Sequence, residues 1–160
     1  NAGLINKVCL CQTPQVPLKS YEDLSIFKIY CLDIGLLRVL SELSPEAYFS
    51  DSPAFKEYKG ALAENYILQS LLANGIKCSR YWASGNKAEV EFIVQHGMDV
   101  IPIEVKSGTS VTGKSLTEYN KKYSPSMRIR FSMLNLKRND TLLNIPLFLA
   151  DKVKYLCGMV

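Results

Sequence analysis

Three glutamates and a lysine occupy strand-forming sequence between residues 89 and 107, EVEFIVQHGMDVIPIEVKS, where a buried strand normally carries apolar residues. The residues His96-Gly97-Met98-Asp99 are typical of a tight turn, so this stretch predicts a β-hairpin. Glu91 lies six residues before Gly97, and Glu104 lies six residues after Met98. A symmetric hairpin therefore places the two glutamates opposite each other, with Cβ atoms roughly 5 Å apart.

Two carboxylates at that distance raise each other's pKa unless a cation lies between them. Mg²⁺ normally binds one or two carboxylates together with water and phosphate oxygens. Alternation along the strand places Lys106 on the same face as Glu104, where its ammonium group could orient a water or stabilise charge on a phosphate. The backbone carbonyl of Val105 is a further candidate ligand. The pattern predicts a Mg²⁺ site, while a solvated hairpin face with the same charges is the structural alternative.

A third acid, Glu64, lies in the helical pattern of residues 51–75. Its neighbours at helical spacing are small or apolar: Gly60, Ala61, Ile67, Leu68 and Leu71. A glutamate on such a packing face is costly unless it is paired or binds a metal. We therefore add Glu64 to the candidate metal ligands.

The elements around these residues predict an α/β fold, with a mixed sheet flanked by helices. The helix over 51–75 has Ser52 as its expected N-cap and Asn74-Gly75 at its end. Within AEVEFIV, alternation places Val90, Phe92 and Val94 on one face. The other predicted elements are strands at Cys78–Ala83, Arg128–Leu134 and Ile145–Ala150, and a helix at Ser115–Tyr123.

The first 45 residues predict a separate unit. Strands at Leu4–Leu10 and Phe27–Tyr30, followed by a helix at Asp33–Leu43, have the pattern of the wing of a winged-helix unit. The sequence begins without Met, inside an apolar pattern, so we expect a piece of a longer protein. We predict a winged-helix remnant with a connecting helix at 1–45 and a second domain at 46–160.

Charge distribution indicates a polyanionic partner. The net charge is only +4, but the segment 107–139 carries seven basic residues and one acid, Glu118. A solvated surface can produce the same bias. The candidates for phosphate contacts, with Tyr119 and Tyr123 interleaved, are Lys114, Lys121, Lys122, Arg128 and Arg130.

Other features restrict the class of protein. No segment is long and apolar enough to predict a membrane span or a signal peptide. The five cysteines form no CxxC pair and are expected to be reduced, as in a cytoplasmic protein. The single histidine, His96, falls in the hairpin turn, which disfavours Ser/His/Asp and Cys/His nucleophilic schemes.

The order of a helical acid, a strand acid and E-x-K on the next strand resembles the PD-(D/E)XK superfamily, the restriction-endonuclease-like fold. More closely, the chain resembles the domain that follows the ATPase module in a large bacterial and archaeal family of AAA+-type ATP-binding proteins. The segments that carry this resemblance extend from Gly3 to Ala150: GLINKV, LKSYEDLSIFKIYCLDIGLL, KGALAENYILQSLL, RYWASGNKAEVEFIV, PIEVKSG, KSLTEYNKKYSP and IPLFLA. One departure is Glu91, where that family more often has aspartate.

The resemblance implies that Glu91 and Glu104 hold Mg²⁺, with Glu64 as a further ligand directly or through water, and that Lys106 positions the attacking hydroxide. It also implies an ATPase domain upstream in the same chain, through which alone ATP would act. We expect DNA as a partner and no membrane, and an oligomer is compatible with the sequence. The alternative is a non-catalytic DNA- or protein-binding module of the same ATPase with a vestigial acidic site.

Overall fold

The computed structural model describes residues 3–44, 53–85, 87–110 and 112–159. The predicted cap Ser52 and the predicted domain boundary between residues 45 and 46 lie outside these ranges. None of the helices in the described ranges has the length and apolar character needed to cross a membrane. The strands are β1 Ile5–Leu10, β2 Asp23–Cys31, β3 Arg80–Ala83, β4 Glu89–Val90, β5 Phe92–His96, β6 Asp99–Val105, β7 Arg128–Ser132, β8 Lys137–Asn139 and β9 Leu142–Pro146. The helices are α1 Ile34–Leu40, α2 Pro53–Ala73, α3 Lys114–Tyr123 and α4 Val153–Cys157, with 3-10 helices at Leu18–Tyr21 and Leu147–Lys152.

The strands form two mixed sheets, which confirms the α/β prediction. The N-terminal sheet has the order β2-β1-β3-β4, and the central sheet has the order β5-β6-β7-β9-β8. In the central sheet, β6, β7 and β9 run parallel, and β5 and β8 are antiparallel edge strands. Strand β1 pairs with β3, so residues from both predicted domains share the N-terminal sheet.

Helix α2 covers one face of the central sheet. Ile103, Ile129 and Leu143 are neighbours across three strands, and they join the same buried cluster as Ile67 and Leu71 of α2. Val8, Leu10 and Tyr30 of the N-terminal strands belong to this cluster as well. The N-terminal strands therefore share the core with the segment that carries the glutamates.

Helix α3 covers only part of the opposite face. Its Leu116 and Tyr119 pack in a second cluster with Ile93 of β5 and Val100 of β6. Leu142 of β9 packs against this cluster, and beyond it the same face of β7, β9 and β8 carries mainly polar side chains. This half-covered face includes the glutamate of the E-x-K motif.

The chain passes from one sheet to the other at Glu91. Strand β4 ends at Val90 in the N-terminal sheet, and β5 begins at Phe92 in the central sheet. The alternation predicted through AEVEFIV fails at this point, because Val90 packs in the second cluster while Phe92 and Val94 pack against α2. Alternation holds only within one continuous strand.

Two further predictions differ from the structure near the end of the chain. Of the predicted strand Ile145–Ala150, only Ile145 and Pro146 are extended, and the chain continues as a 3-10 helix from Leu147. The short polar edge strand β8 was not predicted. Its residues, Lys137-Arg138-Asn139, lack the apolar and β-branched side chains that indicate a strand.

Candidate functional site: a carboxylate pair with lysine and arginine

The predicted hairpin has the register that brings Glu91 and Glu104 together. Phe92 pairs with Ile103 and His96 with Asp99, and this register, extended by one residue beyond the start of β5, sets Glu91 opposite Glu104. Both glutamates are buried, with 8% and 1% of their surface exposed. The Lys106 ammonium nitrogen lies 3.5 Å from Oε1 of Glu91 and 3.5 Å from Oε1 of Glu104. The two carboxylates therefore face one cation.

Each carboxylate is also anchored through its second oxygen. The backbone N–H of Val105 donates to Oε2 of Glu91 at 3.1 Å. The Nε of Arg130 donates to Oε2 of Glu104 at 2.8 Å. These bonds fix the two groups so that both Oε1 atoms point towards Lys106.

Arg130 is the residue whose position sequence reasoning did not foresee. It was predicted to contact phosphate, but only 9% of its surface is exposed and its guanidinium is paired with Glu104. Parallel pairing of β6 and β7 sets Arg130 directly opposite Glu104. Its Nη2 lies against Gly113, where a Cβ atom would collide with it. The buried carboxylate of Glu104 thus contacts two cations of the protein, Lys106 through Oε1 and Arg130 through Oε2.

Glu64 approaches the pair from α2. Its carboxylate accepts the Tyr30 hydroxyl proton at 2.9 Å. Burial raises the pKa of Glu91 to about 7, the Lys106 ammonium opposes this rise, and the negative charge of Glu64 adds to it. Burial, and then the charge of Glu64, likewise raise the pKa of Tyr30. Glu64 therefore acts on the same electrostatic site as Glu91.

The donor set fits a cation held by two carboxylates. Mg²⁺ uses one or two carboxylates and completes its coordination with water and substrate oxygens. Within the described ranges no group of three or more acidic, histidine or cysteine side chains is arranged to hold a metal. The observed convergence therefore involves Glu91 and Glu104, and direct ligation by Glu64 or by the Val105 carbonyl stays a prediction.

The predicted basic residues do not form one cluster. Lys114, at the start of α3, and Lys122 are exposed. Lys121 is exposed and pairs with Glu118 at 2.9 Å. Arg128 donates from Nε to the Thr141 hydroxyl at 3.0 Å. The charge run thus distributes over α3 and β7 rather than over one groove.

The tyrosines of α3 are packing residues. Tyr119 is fully buried and stacks edge-on against Trp82, with ring centroids 5.1 Å apart. Tyr123 packs edge-on against the same indole at 5.9 Å and accepts its N–H proton at 3.3 Å. Tyr119 is therefore not available to stack on a base.

Lys137 and Asn144 were not among the predicted site residues. They continue the line of Glu104 and Arg130 across the sheet, because Arg130 is opposite Asn144 and Asn144 is opposite Lys137. Only the pairing order of β7, β9 and β8 reveals this line. The one signal in the sequence was the basic pair Lys137-Arg138 after an apolar segment.

Comparison with known protein families gives one match. The family described as "Domain of unknown function (DUF4143)" matches residues 59–148, which include most of α2, the hairpin and β7 to β9. The chain therefore belongs to this family. Neither the comparison with curated proteins nor that with solved structures gave a significant match.

Proposed function

We propose that this member of the DUF4143 family is the C-terminal, nuclease-like domain of an AAA+-type ATPase and hydrolyses phosphodiester bonds in DNA with Mg²⁺. The observation that carries the proposal is the convergence of two buried carboxylates on one lysine. Oε1 of Glu91 and Oε1 of Glu104 each lie 3.5 Å from the Lys106 ammonium nitrogen, while their Oε2 atoms are held by other donors. The E-x-K spacing supports the restriction-endonuclease-like assignment, and the family match supports the placement in the C-terminal region of an AAA-type ATPase.

In this proposal Glu91 and Glu104 hold the metal through their converging oxygens. A bound Mg²⁺ supplies Lewis-acid stabilisation of phosphate charge and lowers the pKa of a bound water. Lys106 moves from the carboxylates to the substrate side, where its ammonium positions the attacking water and stabilises charge on the phosphate. The Val105 amide and the Arg130 guanidinium keep the two carboxylates oriented throughout.

The Arg130 contact also favours a second candidate function. Lys106 and Arg130 give each of the two carboxylates a cation partner, so the pair does not require a metal to offset its charge. A site balanced in this way can have a purely structural role, which is to hold β6 and β7 in register. The domain would then be a non-catalytic DNA- or protein-binding module of its ATPase.

Calorimetric titration of the 160-residue chain with Mn²⁺ and Mg²⁺ separates the two candidates. We expect binding by the wild type, loss of binding in Glu104→Gln and in Glu91→Gln, and unchanged binding in the control Glu118→Gln. The control residue is an exposed glutamate paired with a lysine, so it matches the charge change without touching the site. Thermal melting of each variant verifies that it is folded.

A nuclease assay with supercoiled and linear DNA follows on the same proteins. Metal-dependent nicking that is lost in Glu104→Gln and Lys106→Met, but not in Glu118→Gln, supports hydrolysis. Absence of metal binding by the folded wild type overturns the hydrolytic proposal and leaves the binding module.

A further inference from the structure

A cavity of about 450 Å³ lies on the part of the central sheet that α3 leaves uncovered. Its floor consists of residues from β7, β9 and β8 that share the face of Glu104. Glu104, Arg130, Asn144 and Lys137 are successive cross-strand neighbours, and we call these four residues the polar row. The cavity begins at Arg130 and extends along the polar row away from Glu104.

The loop from residue 133 to residue 136 forms one wall of this cavity, and Asn144 holds the loop in place. The Asn144 amide nitrogen donates to the carbonyls of Leu134 and Asn135, at 3.2 and 3.0 Å. Its amide oxygen accepts the Ser132 hydroxyl proton at 2.8 Å. Because these bonds occupy the Asn144 side chain, its role is to build the wall. The cavity is therefore a formed feature of the sheet.

The lining combines an apolar surface with polar groups at its edge. Leu134 and Leu136 expose 37% and 46% of their surface beside the cavity, which is unfavourable for leucine in water. Asn135 and Asn139 add exposed amide side chains to the lining, and Lys137 adds a positive charge. Pockets of this size bind a small ligand that presents an apolar body, a hydrogen-bonding edge and a negative charge.

We infer that the cavity binds one nucleotide unit of an unpaired nucleic-acid strand, with its base against the leucines and a phosphate at Lys137. A base in a duplex is stacked on both faces and must leave the stack to enter the cavity, so the site selects single-stranded or locally opened substrate. The cavity and Glu104 lie on the same face of the sheet and are joined through Arg130, so a strand bound in the cavity lies on the face that carries the E-x-K glutamate. This inference rests on the proposed function and specifies the form of its substrate.

Binding can be measured without hydrolysis. Fluorescence anisotropy with a fluorescein-labelled single-stranded oligonucleotide in EDTA gives the affinity, and its annealed duplex is the comparison. We expect Leu136→Glu and Lys137→Ala to weaken single-strand binding, the first by about ten-fold or more. The matched controls are Leu40→Glu and Lys152→Ala, which change exposed residues of α1 and of the C-terminal 3-10 helix.

The outcomes distinguish this inference from the hydrolytic proposal. Equal binding by the wild type and both cavity variants overturns the inference, even if metal-dependent cleavage is observed. Loss of single-strand binding in the cavity variants, with no cleavage by the wild type, supports the inference and overturns hydrolysis. If free AMP displaces the oligonucleotide when the two are at the same concentration, the cavity binds a free nucleotide, and the inference of a bound strand is overturned. Tighter binding of the duplex than of the single strand also overturns it.

Discussion

Replacing Arg130 by methionine tests the central electrostatic argument. The substitution keeps an unbranched side chain of similar length and removes the charge that contacts Glu104. Glu104 is 1% exposed, and its Oε2 atom would lose a donor at 2.8 Å. The variant therefore leaves a buried carboxylate with only one cation, Lys106, at 3.5 Å from its other oxygen.

The expected cost follows from that environment. Removing one partner of a buried ion pair typically costs 3–5 kcal/mol, and Lys106 compensates part of the remaining charge, so we expect about 3 kcal/mol for Arg130→Met. In a chain of this length that loss lowers Tm by about 6–12 °C. Glu104→Met should cost less, about 1–2 kcal/mol, because Arg130 borders the cavity and its flexible side chain can turn the guanidinium towards water once its partner is lost. The double variant removes both charges and should cost about 1 kcal/mol or less.

Urea unfolding followed by Trp82 fluorescence measures these free energies. Trp82 is the single tryptophan of the chain and is fully buried, so its emission reports the folded core. A loss below about 1 kcal/mol in Arg130→Met, or a double variant as unstable as the sum of the two single variants, would refute the argument. Either result would mean that Arg130 does not stabilise the ionised carboxylate of Glu104 in the folded chain.

Three further predictions concern other parts of the structure. The free energy of unfolding of Glu91→Gln, relative to that of the wild type, should rise by about 3 kcal/mol between pH 4.5 and pH 7. The reason is that the raised pKa of Glu91 makes its ionisation unfavourable in the folded wild type, whereas glutamine does not ionise. Urea unfolding at several pH values measures this difference. Gly113→Ala should cost about 2 kcal/mol in thermal unfolding, and the control Gly97→Ala about 1 kcal/mol, because both glycines have positive φ but only a Cβ at position 113 meets a side chain. Asn65→Leu should cost about 2 kcal/mol and accelerate amide exchange at Cys31, because the buried Asn65 amide bonds both the N–H and the C=O of that residue.

Each of these predictions has a contrary result. A pH-independent difference between Glu91→Gln and the wild type would show that Glu91 has no raised pKa. Equal losses for the two glycine variants would show that the arginine beside position 113 moves away without cost. Unchanged exchange at Cys31 would show that another group replaces the Asn65 amide.

Sequence reasoning reached the hairpin because all its determinants are local. The turn at Gly97 and the equal spacing of Glu91 and Glu104 fix the register, and the structure has this register. The end of α2 is similarly local, since Gly75 adopts φ +70° and Ile76 N–H donates to the Leu71 carbonyl at 2.9 Å.

The sequence predicted a phosphate contact for Arg130 and not its ion pair with Glu104, because that partner depends on parallel pairing. Strands β6 and β7 are connected through α3, and the register that sets Arg130 opposite Glu104 is fixed by packing around that crossover. By residue type alone, an arginine in a basic segment indicates a phosphate contact. The passage of the chain from one sheet to the other at Glu91 is equally non-local. It depends on the pairing of β4 with β3 and of β5 with β6.

The position of Glu91 makes the site sensitive to mechanical distortion. Glu104 and Arg130 lie on adjacent strands of one sheet, so their separation is set by the backbone ladder between them. Glu91 follows a strand of the N-terminal sheet and precedes a strand of the central sheet. Any force that tilts one sheet against the other therefore changes the distances from Glu91 to Glu104 and to Lys106, while the Glu104–Arg130 distance stays fixed by the ladder. The distance between the Glu91 and Glu104 carboxylates therefore depends directly on the angle between the two sheets.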